Sequence, residues 1–236
     1  ISIFNDFYYN LTQKKGHFRF DFFNEIPLSR GLGSSSAVIV SAIASAYAIE
    51  GIKVEKERLL NLSLAYESHP DNITPAVMGG FNVASVHENE VKFITKSIPR
   101  TLRAVVVVPN RPISTTLSRK TLPYKYSKED TIFNISHSSL LTAAFMSENW
   151  EMLKYASADM VHQQFRMRHM PELFEVQKTA LKNGALMSTL SGSGSTFFSV
   201  AYSEDSQKLE LALKEKFPHF RVMSVDFDNN GVKIEI

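Results

Sequence analysis

Pro27-Leu28-Ser29-Arg30-Gly31-Leu32-Gly33-Ser34-Ser35-Ser36-Ala37 is the stretch on which the reading of this chain turns. Gly31 and Gly33 carry no Cβ, so backbone N–H groups there can come close to a ligand. From Ala37 to Ile49 the residues are almost all small or apolar, and Gly51 follows. That pattern predicts a buried helix with a glycine just past its end. Such a helix points its positive dipole end and unpaired N–H groups back into the loop. Ser34, Ser35 and Ser36 add hydroxyl donors, and the whole reads as a nest for an anion, with a nucleoside triphosphate fitting best. The stretch lacks the lysine of G-x-x-x-x-G-K-[ST] and does not fit G-x-G-x-x-G. A flexible turn with an ordinary serine cap is the plainer alternative.

Outward from this loop, Ile1, Phe4, Phe7, Tyr8 and Leu11 repeat at helical spacing and predict a helix over 2–13. Phe18, Phe20 and Phe22 alternate with polar residues and predict a strand. Residues 55–67 form an amphipathic helix, Pro70 marks a turn, and Pro75 starts another short helix. Strands are expected at 81–86, 91–95, 104–108, 186–190, 196–202, 220–227 and 232–236. Helices are expected near 115–121, 128–147, 149–163, 171–183 and 205–215. Interleaved helices and hairpin-like strand pairs predict an α+β fold in two lobes with a boundary near Pro99, that is, domains 1–98 and 99–236.

Two further stretches carry possible chemistry. Glu67-Ser68-His69-Pro70-Asp71-Asn72, followed by Gly79-Gly80, gathers two carboxylates, an imidazole and an amide beside a helix end. A carboxylate near bound phosphates suits Mg²⁺, which takes oxygen ligands and keeps some waters. Asp71 and Asn72 could instead satisfy nearby backbone groups in a polar turn. Leu190-Ser191-Gly192-Ser193-Gly194-Ser195-Thr196 lies between two expected strands and by itself reads as a hairpin loop. Arg119 and Arg166 stand in Thr115-Thr116-Leu117-Ser118-Arg119 and His162-Gln163-Gln164-Phe165-Arg166. A guanidinium binds carboxylate or phosphate bidentately, although most arginines are solvated surface groups.

Composition narrows the classes. At about 150 residues per domain, 236 residues make one or two domains with a sizeable core. Lys+Arg 26 against Asp+Glu 24 leaves +2, which gives no reason to expect nucleic acid or an anionic membrane as partner. No apolar run approaches the about 20 residues of a membrane helix. The absence of Cys excludes disulfides and thiolate metal sites and is compatible with a cytoplasmic protein. The scattered histidines make no zinc motif, and no G-x-S-x-G supports a hydrolase. The sequons at Asn10, Asn61, Asn72 and Asn134 read as chance in the absence of a secretory signal. The opening at Ile1, inside an apolar-periodic stretch, leads us to expect that a natural N-terminal segment is missing.

Pro27 to Ala37 resembles the central phosphate-loop motif of the GHMP small-molecule kinases, and Leu190 to Thr196 resembles their third motif. Within that superfamily, His69-Pro70-Asp71-Asn72 with Pro75 and Gly79-Gly80 is similar to the homoserine kinase branch. So are Thr115 to Arg119 and Gln163-Gln164-Phe165-Arg166. Two departures stand out. The superfamily's first motif, a Pro-rich segment with Asn, Gly and Asp, is absent, and Ser195-Thr196 replaces the usual Pro-Ser or Pro-Thr pair.

The resemblance implies a two-lobed fold, with an ATP-binding N-terminal lobe and a C-terminal ferredoxin-like sandwich. It implies that Pro27, Leu28, Ser29, Arg30, Gly31, Leu32, Gly33, Ser34, Ser35, Ser36 and Ala37, with Gly192, Ser193 and Gly194, hold ATP. Ser34 and Glu67 would lie close to Mg²⁺. Arg119 and Arg166 would clamp the carboxylate of L-homoserine, Asp71 would favour its ammonium, and Asn72 would orient its hydroxyl. His69 and Thr115 would line the pocket. Glu67, Asp71, Asn72 and Ser34 would form the catalytic set; related kinases use the Asp matching Asp71 as a base, but direct attack by the hydroxyl is favoured in this branch. A loose phosphoryl-transfer transition state suits direct attack, since positioning and charge neutralisation do most of the work. The alternatives are a GHMP kinase acting on mevalonate or shikimate, which have no ammonium for Asp71, and a non-catalytic binding protein on the same scaffold. A homodimer is compatible with the resemblance.

Overall fold

The computed structural model describes residues 1–111, 118 and 120–235. Residues 115–117 and 119 of the helix expected at 115–121 therefore fall outside the described residues, while Ser118 and Lys120 are helical. By their contacts the described residues form two compact units. The first comprises residues 1–26, 33–97 and 228–236, and the second residues 27–32 and 98–227. Two segments thus cross the single cut expected after residue 98, and one division falls inside the glycine–serine stretch, after Leu32.

In the first unit, α1 (Ser2–Thr12), α2 (Ser34–Ile49), α3 (Lys56–Ser63) and α4 (Pro70–Met78) precede the antiparallel hairpin of β1 (Phe81–His87) and β2 (Glu90–Lys96). Glu88 and Asn89, the two residues of its turn, both have positive φ, as a tight turn matching strand twist requires. Ile43, Ala46, Leu60, Ile73 and Val77 are fully buried in its core, where α2 supplies the longest apolar face. The strand expected at Phe18, Phe20 and Phe22 does not form. A strand needs a neighbour to take its N–H and C=O groups, and no ladder reaches these residues among those described. Phe18 and Phe20 pack instead edge-on against Phe4 of α1, with ring centroids 5.1 and 4.8 Å away. The expected helix at 55–67 shortens to α3 and runs on as tight i→i−3 turns through Tyr66. Pro70 opens α4 rather than marking a turn, and Pro75 lies inside that helix. Pro is well suited to a first helical position, where its missing N–H would have had no partner. Residues 232–235 form no strand; Val232 N–H donates to the Val77 carbonyl at 3.1 Å and ties the segment to the first unit.

The second unit is built on one antiparallel sheet, in the order β4 (Met187–Leu190), β5 (Phe197–Tyr202), β3 (Leu102–Val108), β6 (Arg221–Val225). Its helices are α5 (Lys128–Ser147), α6 (Leu153–Ala156), α7 (Gln163–Met167), α8 (Glu172–Lys182) and α9 (Ser203–Lys216). With α8 between β3 and the β4–β5 hairpin and α9 before β6, this is the β-α-β-β-α-β arrangement of a ferredoxin-like sandwich. β3 is central and almost continuously apolar, which suits a strand covered by its neighbours. Val105, Val107, Leu173, Val176, Phe197 and Leu209 are fully buried in the core between sheet and helices.

α5 starts at a Ser127 cap whose hydroxyl oxygen accepts from Asp130 N–H at 2.9 Å. The single helix expected at 149–163 is broken. A 3₁₀ turn at Trp150–Met152 and the short α6 end at Ala156, and Asp159 then accepts from Val161 N–H and Gln163 N–H at 2.9 and 2.6 Å. A short acidic side chain that bonds the backbone ahead of it competes with helix continuation and restarts the chain as α7. Among the described residues, no helix is long and apolar enough to cross a membrane.

Candidate active site

In the first unit, Gly33 occupies the cap position of α2 with φ +70°. No side chain caps that helix, and no acidic residue stands in its first turn. Its first N–H groups and positive dipole end are therefore available to an anion. Ser34 is half-buried, Ser35 exposed and Ser36 buried, so Ser34 and Ser35 are the hydroxyls a ligand can reach. Asn72, on α4, approaches this tip: a Cβ added at Gly33 would sit 3.5 Å from Asn72 Oδ1. Asp71 lies in the first turn of α4, and Glu67 Oε1 accepts from His69 N–H, at the cap of α4, at 3.3 Å. Gly33, Asn72, Asp71, His69 and Glu67 thus share one unit, and Asn72 approaches the tip of α2 at Gly33. Gly79 and Gly80 serve packing: a Cβ at Gly79 would meet the backbone of Asn229 and Gly231 at 2.6 Å.

In the second unit, the two glycine loops come together. Ser29 and Gly31 both have positive φ, the kind of winding that turns N–H groups into a concavity. Ser29 pays a steric cost there that glycine would not. A Cβ on Gly31 would overlap the Ser191 carbonyl oxygen, so only glycine fits. Ser191 Oγ donates to Gly31 O at 2.6 Å, and Thr196 N–H donates to Arg30 O at 3.1 Å. Arg30 Nη2 donates to Asn110 O at 3.1 Å, while its buried Nη1 has no partner among the described residues. Ser118 Oγ donates to Ser193 O at 2.8 Å.

Arg166 is not a solvated surface group. It is 8% exposed on α7, and its Nη1 donates to Gly192 O at 2.8 Å. Gln163 Oε1 accepts from Leu190 N–H at 2.8 Å, so α7 is bound to the same hairpin twice. Thr115 and Arg119 lie outside the described residues. Ser191 and Asp159 drew no role from the sequence; their signals were the third glycine loop itself and the i,i+3 spacing of Asp159 and His162.

Among the described residues, no three His, Cys, Asp or Glu side chains gather as a metal-holding group. Mg²⁺ bound with a nucleotide does not need one. One carboxylate, a hydroxyl, phosphate oxygens and waters satisfy it.

The chain matches the family model for the GHMP kinases N terminal domain over residues 3–80 and that for the GHMP kinases C terminal over residues 138–219. It belongs to the GHMP kinases. Within them it is similar to homoserine kinases. That of Aliarcobacter butzleri is 81% identical over 236 residues, covering 100% of this chain and 80% of that protein. That of Nitratiruptor sp. is 62% identical over 235 residues, again covering 100% and 80%. The crystal structure of homoserine kinase from Cytophaga hutchinsonii shares the fold at TM-score 0.89 and 24% identity, covering 98% of this chain and 76% of that one.

Proposed function

We infer that this chain transfers the γ-phosphoryl group of ATP to the side-chain hydroxyl of L-homoserine, giving O-phospho-L-homoserine and ADP in threonine biosynthesis in the cytoplasm. The identity of 81% to a homoserine kinase over the whole chain supports this reading. The observation that carries it in the structure is Arg166: a buried guanidinium held on Gly192, in the very loop that closes on Gly31. A fixed cation beside a phosphate loop is what a kinase for a carboxylate-bearing acceptor needs.

In this reading residues 1–98 form the ATP-binding domain and residues 99–236 the C-terminal domain. Residues 27–37 and Gly192, Ser193 and Gly194 wrap the ATP phosphates with backbone N–H groups. Ser34 and Glu67 hold Mg²⁺, which when bound neutralises phosphate charge. Arg166 and Arg119 clamp the carboxylate of homoserine, Asp71 faces its ammonium, and Asn72 orients its hydroxyl, with His69 and Thr115 lining the pocket. The hydroxyl oxygen attacks the γ-phosphorus in line; the new O–P bond forms as the bond to the β,γ-bridging oxygen breaks, ADP leaves, and the hydroxyl proton passes to the transferred phosphate or to water. The loose transition state makes a strong base unnecessary, so Asp71 works by charge and position.

The test is ADP release by the full-length protein with homoserine, mevalonate, shikimate or no acceptor. Homoserine should give the highest kcat/KM by at least about ten-fold. Preference for mevalonate or shikimate would support a different GHMP kinase, and no acceptor-dependent release would support a binding protein.

A further inference from the structure

At the start of α7 lies a cavity of about 450 Å³, lined by Asn134 and Ser138 of α5, Asp159, His162, Gln163 and Thr189 of β4. The reaction as proposed uses none of these groups. His162 Nε2 stands 2.6 Å from Arg166 Nη1. A guanidinium donates and never accepts, so Nε2 must present its lone pair and the ring hydrogen sits on Nδ1. Nδ1 faces the Asp159 carboxylate, with Oδ2 3.7 Å away: a facing charge, too long for a hydrogen bond. Asp159 is in turn immobilised. It accepts from Asn134 Nδ2 at 2.9 Å and from the N–H groups of Val161 and Gln163, and Asn134 Oδ1 accepts from Met160 N–H at 2.8 Å. The series runs from α5 through Asp159 and His162 to Arg166 and ends on Gly192.

We propose that His162 and Asp159 are positioning residues for the acceptor substrate: Asp159 selects the Nδ1–H tautomer of His162, and the bare Nε2 then fixes the direction in which Arg166 presents its guanidinium. The inference rests on the reading of Arg166 as the carboxylate clamp. A carboxylate that orients a histidine, which in turn orients a working group, is a recurrent way of holding first contacts in place. Without the Nε2 acceptor, Arg166 loses one of the contacts that direct its guanidinium, and the grip on homoserine loosens while the phosphate loop is left intact.

The test compares steady-state kinetics of His162→Ala, His162→Gln, Asp159→Asn, Arg166→Ala and the His162→Ala/Arg166→Ala pair in the full-length protein. His162→Ala and Asp159→Asn should raise KM for homoserine about ten-fold, with kcat and KM for ATP within about two-fold of wild type. His162→Gln, whose amide oxygen still accepts, should recover most of that loss. The pair should be no worse than Arg166→Ala alone, as expected when one group acts through the other. If Arg166→Ala raises KM for homoserine and His162→Ala does not, the positioning role is wrong and the clamp stands. If Arg166→Ala leaves that KM unchanged, the clamp itself is wrong. Equal rises in both KM values, or no recovery by Gln, would mark His162 as merely structural and overturn the proposal. Should His162→Ala not fold, Asp159→Asn and His162→Gln decide by the same criteria.

Discussion

The hydroxyl of Ser191 donates to the carbonyl oxygen of Gly31 at 2.6 Å, joining two loops 160 residues apart in the sequence. Each loop alone reads as a turn. Joined, they form one wall of backbone amides and hydroxyls in the second unit, with Arg166 fixed upon it through Gly192.

Gly31→Ala should therefore be severe. The residue has φ +77°, and its Cβ would overlap the Ser191 carbonyl oxygen. Strain of this kind costs on the order of 1–3 kcal/mol, and relieving it must part the two loops. Calorimetric titration should show ATP affinity reduced by about ten-fold or more; wild-type affinity would show that the loops need not touch.

Ser191→Ala removes the donor and leaves the Gly31 carbonyl short of a partner. The expected loss is about 1–3 kcal/mol, read as a lower urea midpoint with an unchanged m-value. An unchanged midpoint would mean that water replaces the hydroxyl at no cost.

Glu67→Gln keeps the shape of the side chain and deletes its charge. Loss of a charged partner is worth on the order of 1.5–3 kcal/mol, so half-maximal activity should require at least about ten-fold more Mg²⁺. Superimposable Mg²⁺ titrations would remove Glu67 from the metal's neighbourhood.

His162 links stability to pH. Burial, and next the charge of Arg166, lower its pKa from the usual 6.5, with Asp159 acting in the opposite sense. Below the usual value the unfolded chain binds the proton that the folded ring refuses. Stability should then fall as pH drops beneath the usual histidine value and level off once the lowered folded value is passed, with no effect above that window. Urea midpoints from about pH 7.5 to pH 5 should show this slope in wild type and a shallower one in His162→Gln. Parallel slopes would refute the assignment.

Much of this fold was legible because its signals are local. The apolar run from Ala37 to Ile49 and the β-branched run from Ala104 to Val108 each carry enough pattern to name a helix and a buried strand. Where partners decide, the sequence misled. Phe18, Phe20 and Phe22 alternate as a strand should, but alternation supplies no neighbour, and the rings of Phe18 and Phe20 turn to α1 instead. The break at Asp159 was hidden because its cause is a side chain reaching the backbone two and four residues ahead. In the candidate site, the central glycine loop, Glu67 and Asp71-Asn72 could be proposed by residue type. The burial of Arg166 could not: it depends on Gly192, which no local pattern brings near.

The most direct test of the central claim is the fate of the phosphate. Phosphorus NMR of the full-length protein turning over ATP with L-homoserine should show one new phosphomonoester signal, coupled to the side-chain methylene and growing one-for-one with ADP. ADP accompanied only by inorganic phosphate, or formed at the same rate without homoserine, would contradict it.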